Sequence, residues 1–263
     1  IRDRYKPAVD AALMAGEEIL KVYGEEDFQV EIKADESPLT IADKKAHNII
    51  VTMLEETGLP VLSEEGKDIP YEERKGWDRF WLVDPLDGTK EFIRRNGEFT
   101  VNIALIEEGM SIFGVVLAPA INELYVGIPG WGSFLCTHPK NYSQPVEYLV
   151  QFAEPLPLVT DHKFYRIVAS RSHFNKDTEN FIHSLDTGGK EIKLVSKGSS
   201  LKLCMVASGE ADVYPRLGPT MEWDVAAGCA VVAGAGKKVL RLDNNRELQF
   251  NKRDLLNPYF VVR

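Results

Sequence analysis

Two carboxylates, Asp84 and Asp87, stand three residues apart in Trp81-Leu82-Val83-Asp84-Pro85-Leu86-Asp87-Gly88-Thr89-Lys90-Glu91-Phe92. They follow Phe80-Trp81-Leu82-Val83, an apolar run too short for a helix and suited to a buried strand that stops at Asp84-Pro85. Pro85 fixes its own φ and offers no N–H. A tight turn there brings Asp84 and Asp87 to one side, with the Leu86 carbonyl between them. Gly88 lets the backbone come close to a ligand, and the N–H groups of Gly88 and Thr89 can meet anionic oxygens. Two ionised carboxylates so placed repel, and one would ordinarily keep a proton. A divalent cation removes that conflict, and an all-oxygen donor set favours Mg²⁺, with Mn²⁺ a substitute. Asp-Gly alone is common in surface turns; the whole stretch behind four apolar residues is not.

One turn supplies too few ligands, so others must come from elsewhere in the chain. Glu64 and Glu65 end a short run, Pro60-Val61-Leu62-Ser63. If that run pairs with the first strand, Glu64 reaches the same cations; taken alone, the pair also suits a solvated surface. Asp43 closes the pattern Thr40-x-x-Asp43, which capping of a helix explains by itself. Asp224, in Trp223-Asp224-Val225-Ala226-Ala227-Gly228, is a natural cap or dipole partner at a helix start. The small Ala-Ala-Gly steps suggest instead close packing that aims the carboxylate inward.

The elements that must position these groups follow from periodicity. Helices are expected at 3–22 and 40–56, with a weak strand at 28–33. Short β-like runs at 100–106, 111–118, 124–127 and 132–136 suggest a largely antiparallel sheet covered by the two early helices. Pro139, Pro145, Pro155 and Pro157 interrupt 137–160, which places a domain boundary there: residues 1–155 with most of the acids, residues 156–263 with Asp224. Beyond it strands and helices alternate: strand 165–169, helix 176–184, strand 191–195, helix 199–207, strand 211–214, helix 224–233, strand 237–241. That alternation argues for a second, α/β layer.

The 263 residues carry 40 acidic against 31 basic side chains, a net charge of −9. That balance excludes a broad face for polymeric nucleic acid but not a small anionic ligand. Cys136, Cys204 and Cys229 form no disulfide or zinc pattern, and suit a reduced cytosol. No run of 18 apolar residues offers a membrane span, and Ile1-Arg2-Asp3 opens no signal region. The expectation is a cytoplasmic protein, with peripheral association at the inner membrane left open. Gly234-Ala235-Gly236-Lys237-Lys238 has the wrong glycine spacing for a phosphate loop and reads as a helix-to-strand turn.

Ser63-Glu64-Glu65, Asp-Pro-x-Asp-Gly-Thr at 84–89 and Trp-Asp-x-Ala-Ala-Gly at 223–228 occur together and in this order in the inositol monophosphatase superfamily, which the chain resembles over nearly its full length. Three details resemble the branch of 3′(2′),5′-bisphosphate nucleotidases, the bacterial CysQ type in particular. The acidic turn continues as Lys90-Glu91-Phe92; Val168-Ala169-Ser170-Arg171-Ser172-His173 is similar to a segment that contacts the nucleotide. So is Gly198-Ser199-Ser200-Leu201-Lys202, followed by Ala211-Asp212-Val213-Tyr214-Pro215-Arg216. Ser63 departs from the Gly common before the first Glu, and 137–160 is longer than in compact relatives.

The resemblance implies an α/β (α+β) chain folded as a layered α/β/α/β/α sandwich, with the site where the halves meet. It implies two to three Mg²⁺ ions: one with Glu64, Asp84 and the Leu86 carbonyl, one with Asp84, Asp87 and Asp224, and a looser one near Glu64. It implies inhibition by Li⁺. The substrate implied is adenosine 3′,5′-bisphosphate, giving AMP and phosphate, with the 3′-phosphorylated sulfate donor also accepted. Cations polarise the phosphate and acidify the attacking water; Thr89 positions that water. The proton acceptor corresponds to Asp43 in the nucleotidases and to Glu64 in the inositol monophosphatases; Asp43 is favoured here. Attack in line leaves no phosphoenzyme, in keeping with the lack of a His or Cys nucleophile motif. Gly88, Thr89, Ser170, His173, Gly198 and Asp224 are the implied substrate contacts, and Lys202, Arg216 and the helix start near Ser199 would hold the remaining phosphate. The rival with the same chemistry is an inositol or sugar monophosphatase; a module that binds metal or nucleotide without turnover is the rival in another class. The chain is expected to act as a monomer or homodimer.

Overall fold

Asp84 and Asp224 lie on opposite sides of the same packing layer, and the fold is best followed as the means of bringing them there. The computed structural model describes residues 3–25, 31–32, 38–138, 153–159, 163–169 and 175–263. Helices α1 (Lys6–Tyr23) and α2 (Ile41–Glu55) pack together on one face of a seven-stranded sheet. Between them, β1 (Glu31–Ile32) pairs antiparallel with β2 (Pro38–Leu39). The sheet runs β3 (Val61–Ser63), β4 (Arg79–Asp87), β5 (Thr100–Glu107), β6 (Met110–Ala118), β7 (Glu123–Ile128), β8 (Gly132–Thr137) and β9 (Glu154–Pro155), each beside the next. β3 is parallel to β4 and every other pair is antiparallel. Short helices α3 (Tyr71–Arg74) and α4 (Thr89–Ile93) flank β4.

Both faces of this sheet are buried, which is why its central strands read as continuous apolar runs. Trp81, Val83, Val101, Ile103 and Leu105 face α1 and α2. Phe80, Leu82, Ala104, Ile106 and Val116 face the other way, toward α6 (Leu201–Ser208) and α7 (Glu222–Gly234). Helix α7 lies backbone-close on the strands. A Cβ at Gly127 would stand 2.3 Å from Val231 Cα, and one at Gly114 would stand 2.2 Å from the Ala227 carbonyl oxygen.

Beyond α6 and α7 lies a second sheet. β12 (Tyr214–Arg216) and β13 (Val239–Arg241) flank β14 (Phe260–Val262), all antiparallel. The parallel pair β10 (Tyr165–Ala169) and β11 (Ile192–Ser196) joins through an Ile167–Val213 bridge. Helix α5 (Lys176–His183) covers that sheet, with Phe181 and Ile182 on Ile167, Val213, Leu240 and Val261. The succession of helices, sheet, helices, sheet and helix is the expected α/β/α/β/α sandwich.

Several boundaries depart from expectation: α1 starts at Lys6 behind a 3-10 turn at Asp3–Tyr5, and β12 covers Tyr214–Arg216 where a strand is expected at 211–214. Strand β4 does not stop at Asp84-Pro85 but runs to Asp87. Helix α7 begins at Glu222, two residues early, and α6 begins at Leu201, two residues late. β14 was not anticipated; it closes the second sheet as its central strand. Of 28–33, only β1 is described, and of 137–160, the described parts are 137–138 and 153–159.

Candidate active site

In a regular strand, residues three apart point to opposite faces. Asp84 and Asp87 escape this because β4 holds a bulge. Asp84 pairs with Asn102 and Asp87 with Thr100, so Pro85 and Leu86 together oppose Val101. The extra residue restores even spacing, and both acids then face the α6–α7 side while Leu86 joins the core under α1 and α2. Pro85, with no N–H to donate, suits the interruption in the ladder. The Leu86 N–H turns back to Asp84 Oδ1 at 3.1 Å.

The parallel pairing of β3 with β4 sets Ser63 beside Val83, and the Glu64 N–H donates to the Val83 carbonyl at 3.1 Å. Glu64 thereby arrives next to Asp84. From the opposite layer Asp224, in the first turn of α7, adds its carboxylate, held by the Met221 N–H donating to Oδ2 at 2.9 Å. Glu64, Asp84 and Asp224 each present an oxygen within 4.8 Å of the others. Burial, then the charges of Glu64, Asp87 and Asp224, pushes the Asp84 carboxyl well above the ordinary range. Asp224 is raised in the same way, by burial and then by Asp87. Burial raises Asp87 as well, while Lys202 pulls it back. Three segments thus deliver mutually repelling oxygen donors to one point, Asp84 buried and Glu64 and Asp224 half-buried. That donor set fits a hard divalent cation and little else.

Asp43 does two jobs with two oxygens. Oδ2 accepts from the Thr40 N–H at 2.7 Å and the Thr40 hydroxyl at 2.6 Å, completing the cap of α2. Oδ1 accepts from the Thr89 hydroxyl at 3.1 Å. That hydroxyl is also 3.3 Å from the Leu86 carbonyl. Burial is the main cause of a raised Asp43 carboxyl, opposed by the Thr40 hydrogen bonds.

A cleft of roughly 120 Å³ opens beside the acids, with Asp87 and Asp224 in its wall and Gly88, Gly198, Ser199, Lys202 and Arg216 around them. Gly88 sits at φ +90°, and a Cβ there would stand 3.3 Å from Ser199 Oγ and from the Glu98 carbonyl. Position 88 therefore needs glycine twice over, for backbone sign and for closeness to the second half of the chain. Lys202 is buried; its ammonium donates to the Ser199 carbonyl at 2.6 Å and lies 5.6 Å from the Tyr214 ring centre. Burial pushes it down to about 8, against the pull of Asp87. Tyr214, in the same wall, is pushed up to about 12 by burial, against Arg216. Arg216 donates to the Pro219 carbonyl at 2.6 Å, while its Nε is buried with no partner. A buried donor left unpaired costs about 1–3 kcal/mol, so this corner is built to receive an anion. The Gly198 N–H, by contrast, is already used: it donates to Glu98 Oε2 at 2.9 Å. Ser170 and His173 lie outside the described residues.

Two polar residues that motif reading passed over join the acids. Ser200 Oγ lies 3.0 Å from Asp87 Oδ2 and 2.6 Å from the Asp224 main-chain carbonyl, and accepts from Asn102 Nδ2 at 2.9 Å. Glu222, fully buried at the head of α7, turns instead to the Asn251 and Lys252 N–H groups and the Lys252 ammonium, from which it accepts. Ser200 belongs to the segment 198–202, but only topology shows that Asn102 stands opposite Asp84.

A sequence model described as the inositol monophosphatase family matches residues 2–263. The chain belongs to that family. Two curated members similar to it are the 3′(2′),5′-bisphosphate nucleotidases CysQ of Shigella flexneri, 44% identical over 255 residues, and of Escherichia coli K12, 44% identical over 253 residues. Each alignment covers 94% of this chain and 94% of the relative. Among solved inositol monophosphatase family structures, CysQ from Bacteroides thetaiotaomicron matches with a TM-score of 0.89 at 49% identity, over 98% of this chain and 95% of that one. An inositol monophosphatase from Thermotoga maritima shares the fold, with a TM-score of 0.72 at 22% identity. Among the described residues, no helix is long and apolar enough to cross a membrane.

Proposed function

We propose that the chain is a Mg²⁺-dependent 3′(2′),5′-bisphosphate nucleotidase that converts adenosine 3′,5′-bisphosphate to AMP and phosphate, and that also accepts 3′-phosphoadenylyl sulfate. The observation that carries the reading is the convergence of Glu64, Asp84 and Asp224 on one point beside a cleft holding two buried cations, Lys202 and Arg216. The resemblance to CysQ over 94% of the chain supports the nucleotide as substrate. Glu64, Asp84, the Leu86 carbonyl, Asp87 and Asp224 would hold two to three Mg²⁺ ions, with Mn²⁺ a substitute and Li⁺ an inhibitor. Bound there, the ions would supply Lewis acidity toward the phosphate and its attacking water.

The chain's own groups do the rest. Thr89 directs its hydroxyl proton to Asp43, which leaves its lone pairs to accept from a water. Asp43, raised by burial, is suited to take the proton that this water loses; Glu64 is the other candidate acceptor. Lys202 and Arg216 would hold the phosphate that is not cleaved, the Arg216 Nε gaining the acceptor it lacks. The guanidinium fork and the ammonium would fix the nucleotide's orientation and so choose which phosphate meets the acids. Ser199 and Gly88 would line the path between the two phosphates, with His173 and Ser170 as further nucleotide contacts. In this reading residues 1–155 bring most of the cation ligands and residues 156–263 bring Asp224 and the nucleotide contacts. Three buried free thiols, Cys136, Cys204 and Cys229, support a reduced cytoplasmic setting.

A phosphate-release panel tests the proposal: adenosine 3′,5′-bisphosphate, inositol 1-phosphate, fructose bisphosphate and histidinol phosphate, each with Mg²⁺ and with EDTA. The nucleotide should lead by at least tenfold and EDTA should silence it. A lead for inositol 1-phosphate would move the assignment to the inositol monophosphatases. Tight nucleotide binding without phosphate release would make the chain a binding module.

A further inference from the structure

Ser200 has one hydroxyl proton and two acceptors in reach, from opposite halves of the site. Asp87 Oδ2 at 3.0 Å belongs to the bulged end of β4, and the Asp224 carbonyl at 2.6 Å belongs to the first turn of α7. The oxygen in turn accepts from Asn102 Nδ2 at 2.9 Å. Ser200 and Asn102 are each 1% exposed, so water does not compete for these bonds. Asn102 stands opposite Asp84 across the β4–β5 ladder, and its Oδ1 is buried without a partner. A buried acceptor left unpaired is costly, and a proton donor such as an ordered water arriving with the occupant of the site would satisfy it.

We propose that Ser200 and Asn102 are a positioning pair that locks the Asp87 carboxylate to the head of the Asp224 helix and so sets the affinity for the cation these two acids share. The inference rests on the reading of the acids as cation ligands given above. Left to themselves, Asp87 and Asp224 repel. The Ser200 hydroxyl ties one carboxylate to the backbone that carries the other, and Asn102 fixes the direction of that hydroxyl. Partners of this kind typically contribute 10–100-fold to metal affinity.

The test is Mn²⁺ binding, followed by electron paramagnetic resonance of the free ion, on wild-type protein, Ser200→Ala and Asn102→Ala. Ser200→Ala should bind Mn²⁺ about 10–100-fold more weakly. Its melting temperature in EDTA should stay within a few degrees of wild type. At saturating Mg²⁺ most of its kcat should return. Asn102→Ala should shift binding the same way, and the double variant should be no worse than Ser200→Ala alone. Should Ser200→Ala fail to fold, Asn102→Ala carries the same comparison. Unchanged Mn²⁺ affinity in a folded variant, whatever its activity, overturns the positioning role. Wild-type protein that binds no Mn²⁺ removes the reading of the acids themselves, which the same experiment shows separately.

Discussion

Replacing Asp84 by Asn should make the metal-free protein more stable while it destroys the response to Mg²⁺. Asn keeps an oxygen to accept from the Leu86 N–H, so the substitution removes charge and little else. Two unit charges no more than 4.8 Å apart repel by about 3.5 kcal/mol or more at an effective dielectric of about 20. Asp84 meets two such neighbours, Glu64 and Asp224, so full ionisation of all three is too costly, and the cluster keeps a proton instead. Holding a proton on an Asp at pH 7, roughly three units above its ordinary pKa, costs about 4 kcal/mol, which bounds the gain. Partial exposure of Glu64 lowers it, and we expect about 2 kcal/mol, or roughly 4–8 °C in melting temperature. The pH dependence has a fixed sign. A carboxyl raised on folding binds more protons in the native state than in the unfolded chain, so metal-free stability falls as pH climbs from the ordinary carboxylate range toward the raised value. In Asp84→Asn that slope flattens. Wild type at 100 times its dissociation constant for Mg²⁺ should gain about 2.7 kcal/mol, and Asp84→Asn should gain almost none. Thermal melts in EDTA and in Mg²⁺, at pH 5 and pH 8, read all of this. A variant that melts below wild type in EDTA, or that keeps the full Mg²⁺ shift, refutes the electrostatic reasoning.

Thr89→Ala should lower kcat about 10²–10³-fold, the scale of lost proton transfer, with the melting point nearly unmoved; Thr89→Ser should recover most of it, and steady-state phosphate release checks both. Lys202→Ala should cut kcat/KM for adenosine 3′,5′-bisphosphate at least tenfold more than for a slow substrate with one phosphate, because only the former has a second phosphate to hold; equal losses would contradict the assignment. Gly127→Ala forces a Cβ to 2.3 Å from Val231 Cα, where backbone cannot yield as a side chain would. Overpacking of that kind costs about 1–3 kcal/mol, and because α7 also carries Asp224, the loss of stability should come with weaker Mg²⁺ activation.

The chemistry was more legible in the sequence than its geometry. Apolar strands ending in acids announced Asp84, Asp87 and Glu64, since a buried strand that stops at a carboxylate is locally unfavourable without a partner. The device that puts Asp84 and Asp87 on one face was misread as a turn. Periodicity cannot reveal a bulge, because the two residues opposite Val101 become visible only when the strands pair. Asp43 was legible as a cap, and the cap is real; its second oxygen meets Thr89 only because α2 crosses β4. Asn102 gives no signal, since a single Asn in an apolar strand is unremarkable until the layers close; Ser200 belongs to a recognisable segment, but its contact with Asp87 appears only in the fold. The helices and strands of the second half were placed within two or three residues, as their alternation is a local pattern. β14 was missed because its short apolar run near the chain's end carries no periodicity of its own.

Anomalous diffraction from Mn²⁺-soaked crystals tests the convergence of the acids most directly. The account predicts a peak about 2.0–2.3 Å from oxygens of Glu64, Asp84 and Asp224. A well-ordered map at millimolar Mn²⁺ with no peak among those three carboxylates would contradict it.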